Sequence, residues 1–426
     1  MEEVGRGKQV GPPQSWFING NFAIVWTAST ASYFGTAVSS VALPLVALTT
    51  LGATTFEVGL ISSAGLVAWL LLGLVAGAWV ERRARRPILI GCDVVRGLVL
   101  ASVPVAYFLD VLTLFHLVVT ALMIGVFSVY SDIASQSILP AILRREELLA
   151  GNSKQQTSFA AAQTAGPALG GGFVQLITAP FALAVDAISY LASAFLLSRV
   201  RLKEEIALPA ERPRMWPDVK AGLLYVVRDE IFRPLLLLAA GLNFAGAAVE
   251  TLLVPFLFRE VQASPVTIGL LVGIGGVGGL VGATLGPAFS RRVGGARTLW
   301  IAAVAGPVFA LLMPFSFAGL GLLLFAVGFM VREACVAIVS LLARSFRQMT
   351  APPEFLARIT ASIRFISWGT LPFGALLGGA LGELLGTRTG LLISVAVLLL
   401  TPLPLLTISI SRLQAAIDPK PGANPS

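Results

Sequence analysis

Five carboxylates, Asp93, Asp132, Asp186, Glu250 and Glu333, interrupt long, predominantly apolar stretches of this chain. An acid in such surroundings has two uses: it pairs with a cation, or it binds and releases a proton, because burial penalises the charged form. Arg96 follows Asp93 by three residues, the spacing of a local ion pair on one helical face. Arg332 adjoins Glu333, as a structural bridge or as an anchor for a charged small molecule. Asp132 stands among Ser131, Ser135 and Gln136, a pattern that suits a hydrogen-bonded packing network or a second proton site. Asp186 reads as structural. His116, the single histidine, lies near the end of its stretch, as an interfacial residue does. Cys92 and Cys335 fall in different apolar segments without metal-ligand spacing and read as buried thiols, not a disulfide. There is no H-E-x-x-H, no G-x-x-x-x-G-K-[ST] loop and no nucleophile constellation, so the expectation is no enzyme, no cofactor and no metal.

The elements that position these groups must be membrane spans. Of the 426 residues 56% are hydrophobic and 12% charged, and the mean hydropathy is +0.86, outside the range of soluble domains. Apolar runs against their flanks predict helices near 22–48, 56–80, 88–108, 113–140, 155–177 and 181–198, then 233–258, 266–290, 298–316, 319–345, 359–384 and 389–411. The net charge of +8 is placed as a membrane protein places it, not as a nucleic-acid binder does: nineteen Lys and Arg occupy one set of alternate loops, and only Arg259 and Arg388 the other. That asymmetry puts both termini in the cytoplasm. The predicted organisation is a cytoplasmic tail (1–21), a six-helix half (22–198), a charged, proline-containing linker (199–232), a second six-helix half (233–411) and a tail (412–426). The head lacks the features of a signal peptide.

The two halves repeat each other. Ala37-Val38-Ser39-Ser40-Val41-Ala42-Leu43-Pro44 returns as Ala248-Val249-Glu250-Thr251-Leu252-Leu253-Val254-Pro255, and Val58-Gly59-Leu60-Ile61 as Ile268-Gly269-Leu270-Leu271. The Arg-rich turn after the second span has a counterpart in Ser290-Arg291-Arg292, and Glu147-Leu148-Leu149-Ala150 in Glu354-Phe355-Leu356-Ala357. Two parallel repeats place a site near the bilayer midplane, between halves that rock around it. Gly278, Gly282 and Gly286, like Gly374, Gly378 and Gly382, form small-residue stripes for helix packing. Gly273-x-Gly275-x-x-Gly278 is no dinucleotide fingerprint, because it lies inside a span and no strand precedes it.

Gly77-Ala78-Trp79-Val80-Glu81-Arg82-Arg83-Ala84-Arg85-Arg86 resembles the signature between helices 2 and 3 of the major facilitator superfamily, with Glu81 for its Asp and Ala84 for its second Gly. Residues 130–140, 166–173 and 186–194 are similar to the drug:proton antiporter branch that includes macrolide and siderophore exporters. The resemblance implies an all-α membrane protein of twelve helices in two six-helix halves. It implies a cytoplasmic gating latch at Gly77, Glu81, Arg82, Arg85 and Arg86, with a plain topology determinant as the alternative. Gly166, Pro167, Gly170 and Gly171 resemble the antiporter motif of helix 5, although Ala162 replaces its upstream glycine; a structural kink is the alternative. Residues 115–138 lack the arginine that many proton antiporters carry in helix 4, so that relay does not carry over. Helices 1, 4, 7 and 10 line the path in the superfamily, which selects Asp132, Glu250 and Glu333, with Arg332, as the proton-coupling and substrate residues. Glu250 is the first choice for protonation.

The combined reading is a proton-coupled exporter of a small amphipathic molecule, such as a drug, antibiotic or siderophore-like compound, in the bacterial inner membrane. Its partners are that substrate, protons and the lipid bilayer, without nucleic acid, and it works as a monomer. Tyr33, Phe34, Trp69, Phe244 and Trp368 could shape an amphipathic or cationic site. The alternatives are a proton-coupled uptake symporter and a non-transporting receptor or scaffold.

Overall fold

A segment surrounded by lipid must satisfy its own backbone hydrogen bonds, so each apolar run folds as a helix. The computed structural model describes residues 20–200, 215–351 and 355–408, and among them there is no strand. The first half contains α1 (Gly20–Leu45, continued by a π turn over Val46–Thr50), α2 (Thr55–Glu81), α3 (Arg85–Phe108), α4 (Leu114–Ile142), α5 (Leu148–Ile177) and α6 (Ala179–Ser198). A short helix, α7 (Met215–Arg228), precedes the second half. That half contains α8 (Phe232–Arg259), α9 (Pro265–Val293), α10 (Gly295–Ala310), α11 (Leu322–Thr350), α12 (Leu356–Gly369), α13 (Leu371–Leu385) and α14 (Thr387–Leu400).

Among the described residues eleven segments are long and apolar enough to cross a membrane, with α12 and α13 counted as one. The remaining long helix is α5, whose 30 residues begin with a polar run that includes Lys154, Gln155 and Ser158. Part of that run is satisfied inside the bundle. Ser158 Oγ accepts hydrogen bonds from Trp26 Nε1 (2.9 Å) and Thr30 Oγ1 (3.0 Å), and Tyr33 donates to Gln155 Oε1 at 3.4 Å.

Two local features differ from the sequence expectation. The span predicted over 359–384 is broken between α12 and α13, where Pro372 lacks the N–H that would continue the ladder. The carbonyl of Ser367 beside the break is satisfied by Asn243 Nδ2 of α8 (2.8 Å) and Thr370 Oγ1 (2.8 Å). The linker, read from the sequence only as charged and proline-containing, contains α7, which seats Gly222 against α12 at Arg358 and Ser362 and buries Val226 in the second-half core. Residues 201–214 of the linker lie outside the described residues.

Turn geometry repeats between the halves. Left-handed backbone occurs in matched order at Gly52 and Gln262, Asp110 and Gly319, and Thr178 and Gly386. Thr54 caps α2 by accepting from the Glu57 amide (3.2 Å), and Ser264 caps α9 by accepting from the Thr267 amide (3.3 Å).

The halves meet along two seams. On one, α5 packs on α9, with Gly171 against Pro265, Gly269 against Pro167, and Gly273 and Gly276 against Thr164 and Gln163. On the other, α2 packs on α13, with Gly59 against Ala375 and Gly379. Both seams are tightest at the end away from the linker, called the far side. There Arg259 donates to the Ala53 carbonyl (2.5 Å) and to Thr55 Oγ1 (2.9 Å), and Glu383 accepts from the Thr55 amide (3.0 Å). One continuous core joins the halves on this side, from Val41, Leu183 and Tyr190 to Val249, Phe256, Phe325 and Val395. On the linker side the cores are separate. Val25, Val80 and Ile138 belong to the first half alone, and Phe232, Leu299, Phe346 and Ile359 to the second. The bundle is closed at the far side and splayed at the linker side.

Candidate functional site

The cleft between the splayed halves reaches a charged cluster in mid-span. Arg332 of α11 is buried at 3% exposure; its Nη1 donates to Glu333 Oε1 at 2.5 Å and its Nη2 to Glu250 Oε1 at 3.4 Å. Glu333 shares the helix with its partner, whereas Glu250 reaches over from α8. The Glu250 side chain is 60% exposed although its neighbours Val249 and Thr251 are buried, so it faces the cleft. Arg332 can be this close because Gly246 on α8 has no side chain: a Cβ there would meet Nη2 at 3.0 Å. Two carboxylates thus share one guanidinium at the wall of the opening.

Asp132 is exposed on α4 and feels the charges of Arg96 on α3 and, across the cleft, of Arg364 on α12. The expected packing network around it does not form, because residues adjacent in a helix point about 100° apart. Ser131 turns inward and accepts from Arg96, Ser135 Oγ donates to the Asp132 backbone carbonyl, and among the described residues the Asp132 carboxylate has no hydrogen bond. Arg364 lies over the rings of Trp368 (4.2 Å) and Trp69 (5.1 Å), which meet edge to face at 4.8 Å between the halves. Tyr33 and Phe159 make a second such pair at 5.4 Å. The cleft therefore sets three carboxylates, Glu250, Glu333 and Asp132, against two guanidiniums, Arg332 and Arg364, beside aromatic surface, a setting that attracts cations.

A second charged cluster is sealed inside the first half. The ion pair expected of Asp93 and Arg96 is present, with both side chains buried. Ser193 Oγ donates to Asp93 Oδ2 (2.6 Å), Arg96 Nη2 donates to Ser131 Oγ (2.9 Å), and the Arg96 guanidinium lies 4.3 Å from the Tyr190 ring centre. Asp186, 1% exposed, accepts from Ser39 Oγ (2.5 Å) and Ser189 Oγ (3.1 Å), and Tyr190 shares a hydrogen bond with Thr36 (2.8 Å). Sequence reasoning singled out both acids but not the hydroxyls that hold them, of which Ser39 comes from a distant helix.

The turn between α2 and α3 carries Arg82, Arg83, Arg85 and Arg86 at the linker side. Arg86 donates to the carbonyls of Leu197 (3.1 Å) and Ser198 (2.5 Å), a cation at the C-terminal end of α6. Arg83 stacks over Trp79 at 4.2 Å. Gly77 lies on α2 with no heavy atom near the place of a Cβ, and the Glu81 side chain lies outside the described residues. On α5, Gly166 and Gly170 let α1 approach at Ala37 and Val38, and Gly171 faces Pro265 of α9. This motif is thus where one helix touches both its own half and the other. Gly278, Gly282 and Gly286 pack α9 on α11, and Gly374, Gly378 and Gly382 pack α13 on α8. The glycines of the G-x-G-x-x-G run bear on α5 and α11 from within a continuous helix. Both cysteines are buried and free, and His116 Nε2 shares a 2.7 Å hydrogen bond with Ser102 Oγ near the far-side end of α4.

Known proteins resemble the chain along most of its length. The sequence profile of a family described as transmembrane secretion effectors matches residues 13–424. The multidrug efflux pump Tap of Mycolicibacterium fortuitum is 26% identical over 392 residues, covering 88% of this chain and 93% of the pump. A mutant of the nucleoside transporter NupG superposes with a TM-score of 0.77 at 12% identity, covering 92% of this chain and all of that one. A bacterial homologue of the iron transporter ferroportin, 18% identical, superposes with a TM-score of 0.72 in its inward-facing state, covering 91% and 98% of the two chains. In its outward-facing state the score is 0.60, over 92% and 100%.

Proposed function

This chain belongs to the transmembrane secretion effector family of the major facilitator superfamily and is a multi-pass secondary transporter, and we propose that it exports small amphipathic cations in exchange for protons. The observation that carries this reading is the half-exposed Glu250 carboxylate, one of two acids sharing the buried Arg332 guanidinium at the wall of the cleft. Glu333, at 2.5 Å, takes the better of the arginine's contacts. Glu250, at 3.4 Å and open to water, is free to take a proton or a cationic substrate, but not both. Competition for one carboxylate is the minimal device for exchange, because each ligand displaces the other.

The positive-inside asymmetry supports the linker side as the cytoplasmic face of the bacterial inner membrane, with both termini there. The splayed conformation then admits substrate from the cytoplasm. The substrate's apolar part lies against Trp69, Trp368, Tyr33 and Phe159, its charge meets Glu250 and Asp132, and the Glu250 proton leaves. The halves, taken as 22–198 and 233–411, rock about the α5–α9 and α2–α13 seams. Once the far side opens, an incoming proton neutralises Glu250 and releases the substrate. The Arg82–Arg86 turn, with Glu81, acts as a cytoplasmic latch in that state; unchanged switching kinetics after Glu81→Ala would remove this role.

Inverted membrane vesicles test the direction. An imposed proton gradient should drive accumulation of ethidium or of a basic macrolide, a protonophore should abolish it, and Glu250→Gln should reduce it at least tenfold, about 1.4 kcal/mol in a rate barrier. Uptake by whole cells without accumulation in inverted vesicles would make the chain a symporter and overturn the proposal.

A further inference from the structure

The first-half cluster contains one cation, Arg96, and two acids. Asp93 takes the guanidinium directly, so Asp186 is left with hydroxyl partners only: Ser39 on one oxygen, Ser189 on the other. The charged and titratable groups facing Asp186 are Asp93 and Arg96 from α3 and Tyr190 from its own helix; α1 contributes the hydroxyls of Ser39 and Thr36, and the only charged residue of α5 is Lys154, in its linker-side half. A carboxylate without a cation, 1% exposed in mid-membrane, is an expensive arrangement, and a bound proton removes the cost. The site has no room for a metal ion between the oxygens: Ser39 Oγ and Asp186 Oδ2 are 2.5 Å apart, and Gly35 brings the α1 backbone directly onto Asp186 and Ser189.

The repeat supplies an independent observation. The counterpart of Ser39 in the second half is Glu250. At one and the same repeat position, then, the second half carries a carboxylate on its first helix, and the first half carries a hydroxyl bonded to a carboxylate from α6. Ser39 is only half-buried, and Thr36 and Ser40 beside it on α1 are exposed. The Ser39 hydroxyl, which donates to Asp186 and can accept from water, is a one-step relay between the sealed acid and that surface.

We infer that Asp186 is a second proton-binding site, distinct from Glu250, that loads and unloads through Ser39. It uses the same ion as the proposed exchange and rests on that reading only for its role in transport; its occupancy by a proton is a property of the chain alone. α1 and α6 belong to the same half and move together as the halves rock, so the coupling to conformation lies in whether the α1 surface beside Ser39, with the exposed Thr36 and Ser40, is open to water, without the site touching substrate.

Infrared difference spectroscopy of the purified full chain across an acid–base jump, in H2O and D2O, tests this directly. The wild type should show a carboxylic C=O band that is lost in Asp186→Asn, shifted in Ser39→Ala and retained in Glu250→Gln. Proton uptake counted over the same jump should fall by about one per chain in Asp186→Asn. A band unchanged in Asp186→Asn overturns the site; if that variant does not fold, a band unmoved in both Ser39→Ala and Ser189→Ala does the same. A band that shifts when sodium replaces choline would also overturn it, in favour of a metal ion. Loss of the proton gradient requirement in vesicles, with the Asp186 band present, would instead overturn the exchange reading and leave this site standing.

Discussion

Arg96 and Arg332 are both arginines buried in mid-span, 7% and 3% exposed, and each pairs with a carboxylate of its own helix. Their surroundings differ. Around Arg96 the second acid, Asp186, is sealed and every oxygen of both carboxylates meets a serine hydroxyl or the guanidinium. Around Arg332 the second acid, Glu250, is 60% exposed and its one hydrogen bond among the described residues is the long contact to the arginine. The same inventory therefore serves two ends. A sealed set holds helices together and can exchange at most a proton, relayed through a hydroxyl, while a set left open to water can also exchange a cation.

Removing the two arginines should separate these roles most strongly. Arg96→Met leaves Asp93 buried without its cation and should cost about 3–5 kcal/mol of stability, read as a fall in the thermal unfolding midpoint in detergent. Arg332→Met should cost less, about 1–2 kcal/mol, because the acids it leaves, Glu333 at 24% and Glu250 at 60% exposure, reach water where Asp93 does not, and should instead abolish transport. Equal losses of stability would break the comparison.

Conformation sharpens it next. Gly171→Val forces a side chain into the Pro265 backbone on the far-side seam, an overpacking of about 1–3 kcal/mol that should favour opening there. A cysteine placed at Glu250 should then react with a membrane-impermeant thiol reagent from the far side, while the native Cys92 and Cys335, both buried, stay unreactive. Labelling from the linker side only, with Gly171→Val as without it, would contradict the seam's role.

Two adjacent residues give a finer test. Ser131→Ala removes a buried acceptor from Arg96 and should cost about 1–2 kcal/mol of stability with transport retained in the folded fraction. Asp132→Asn, one position on and exposed to the cleft, should change stability by less than about 0.5 kcal/mol yet alter the affinity for cationic substrates. The reverse pattern would return Asp132 to the packing role that its serine neighbours suggested.

Much of this was readable in the sequence because it follows from local chemistry. Apolar runs gave the spans, the basic turns their alternation, and the Ser39–Glu250 correspondence the repeat. The Asp93–Arg96 and Arg332–Glu333 pairs were visible because their members are three residues apart and adjacent. What was not visible depends on helix rotation and long-range packing. Glu250 meets Arg332 over a separation of 82 residues, made possible by Gly246. Asp186 meets Ser39 over 147, and nothing in the α6 sequence names that partner. Asp132 was grouped with Ser131 by proximity along the chain, although one helical step turns them to different faces. The break at Pro372 was legible in principle, since a proline inside an apolar run interrupts the ladder, but its satisfaction by Asn243 was not.

The central claim is that a proton and a cation compete for Glu250. Tetraphenylphosphonium added to the purified chain in weakly buffered detergent, with a pH indicator dye, measures that competition directly. Wild type should release protons on binding the cation, saturably, and Glu250→Gln should bind without release. Binding with no proton release from the wild type, or equal release from the variant, would contradict the account.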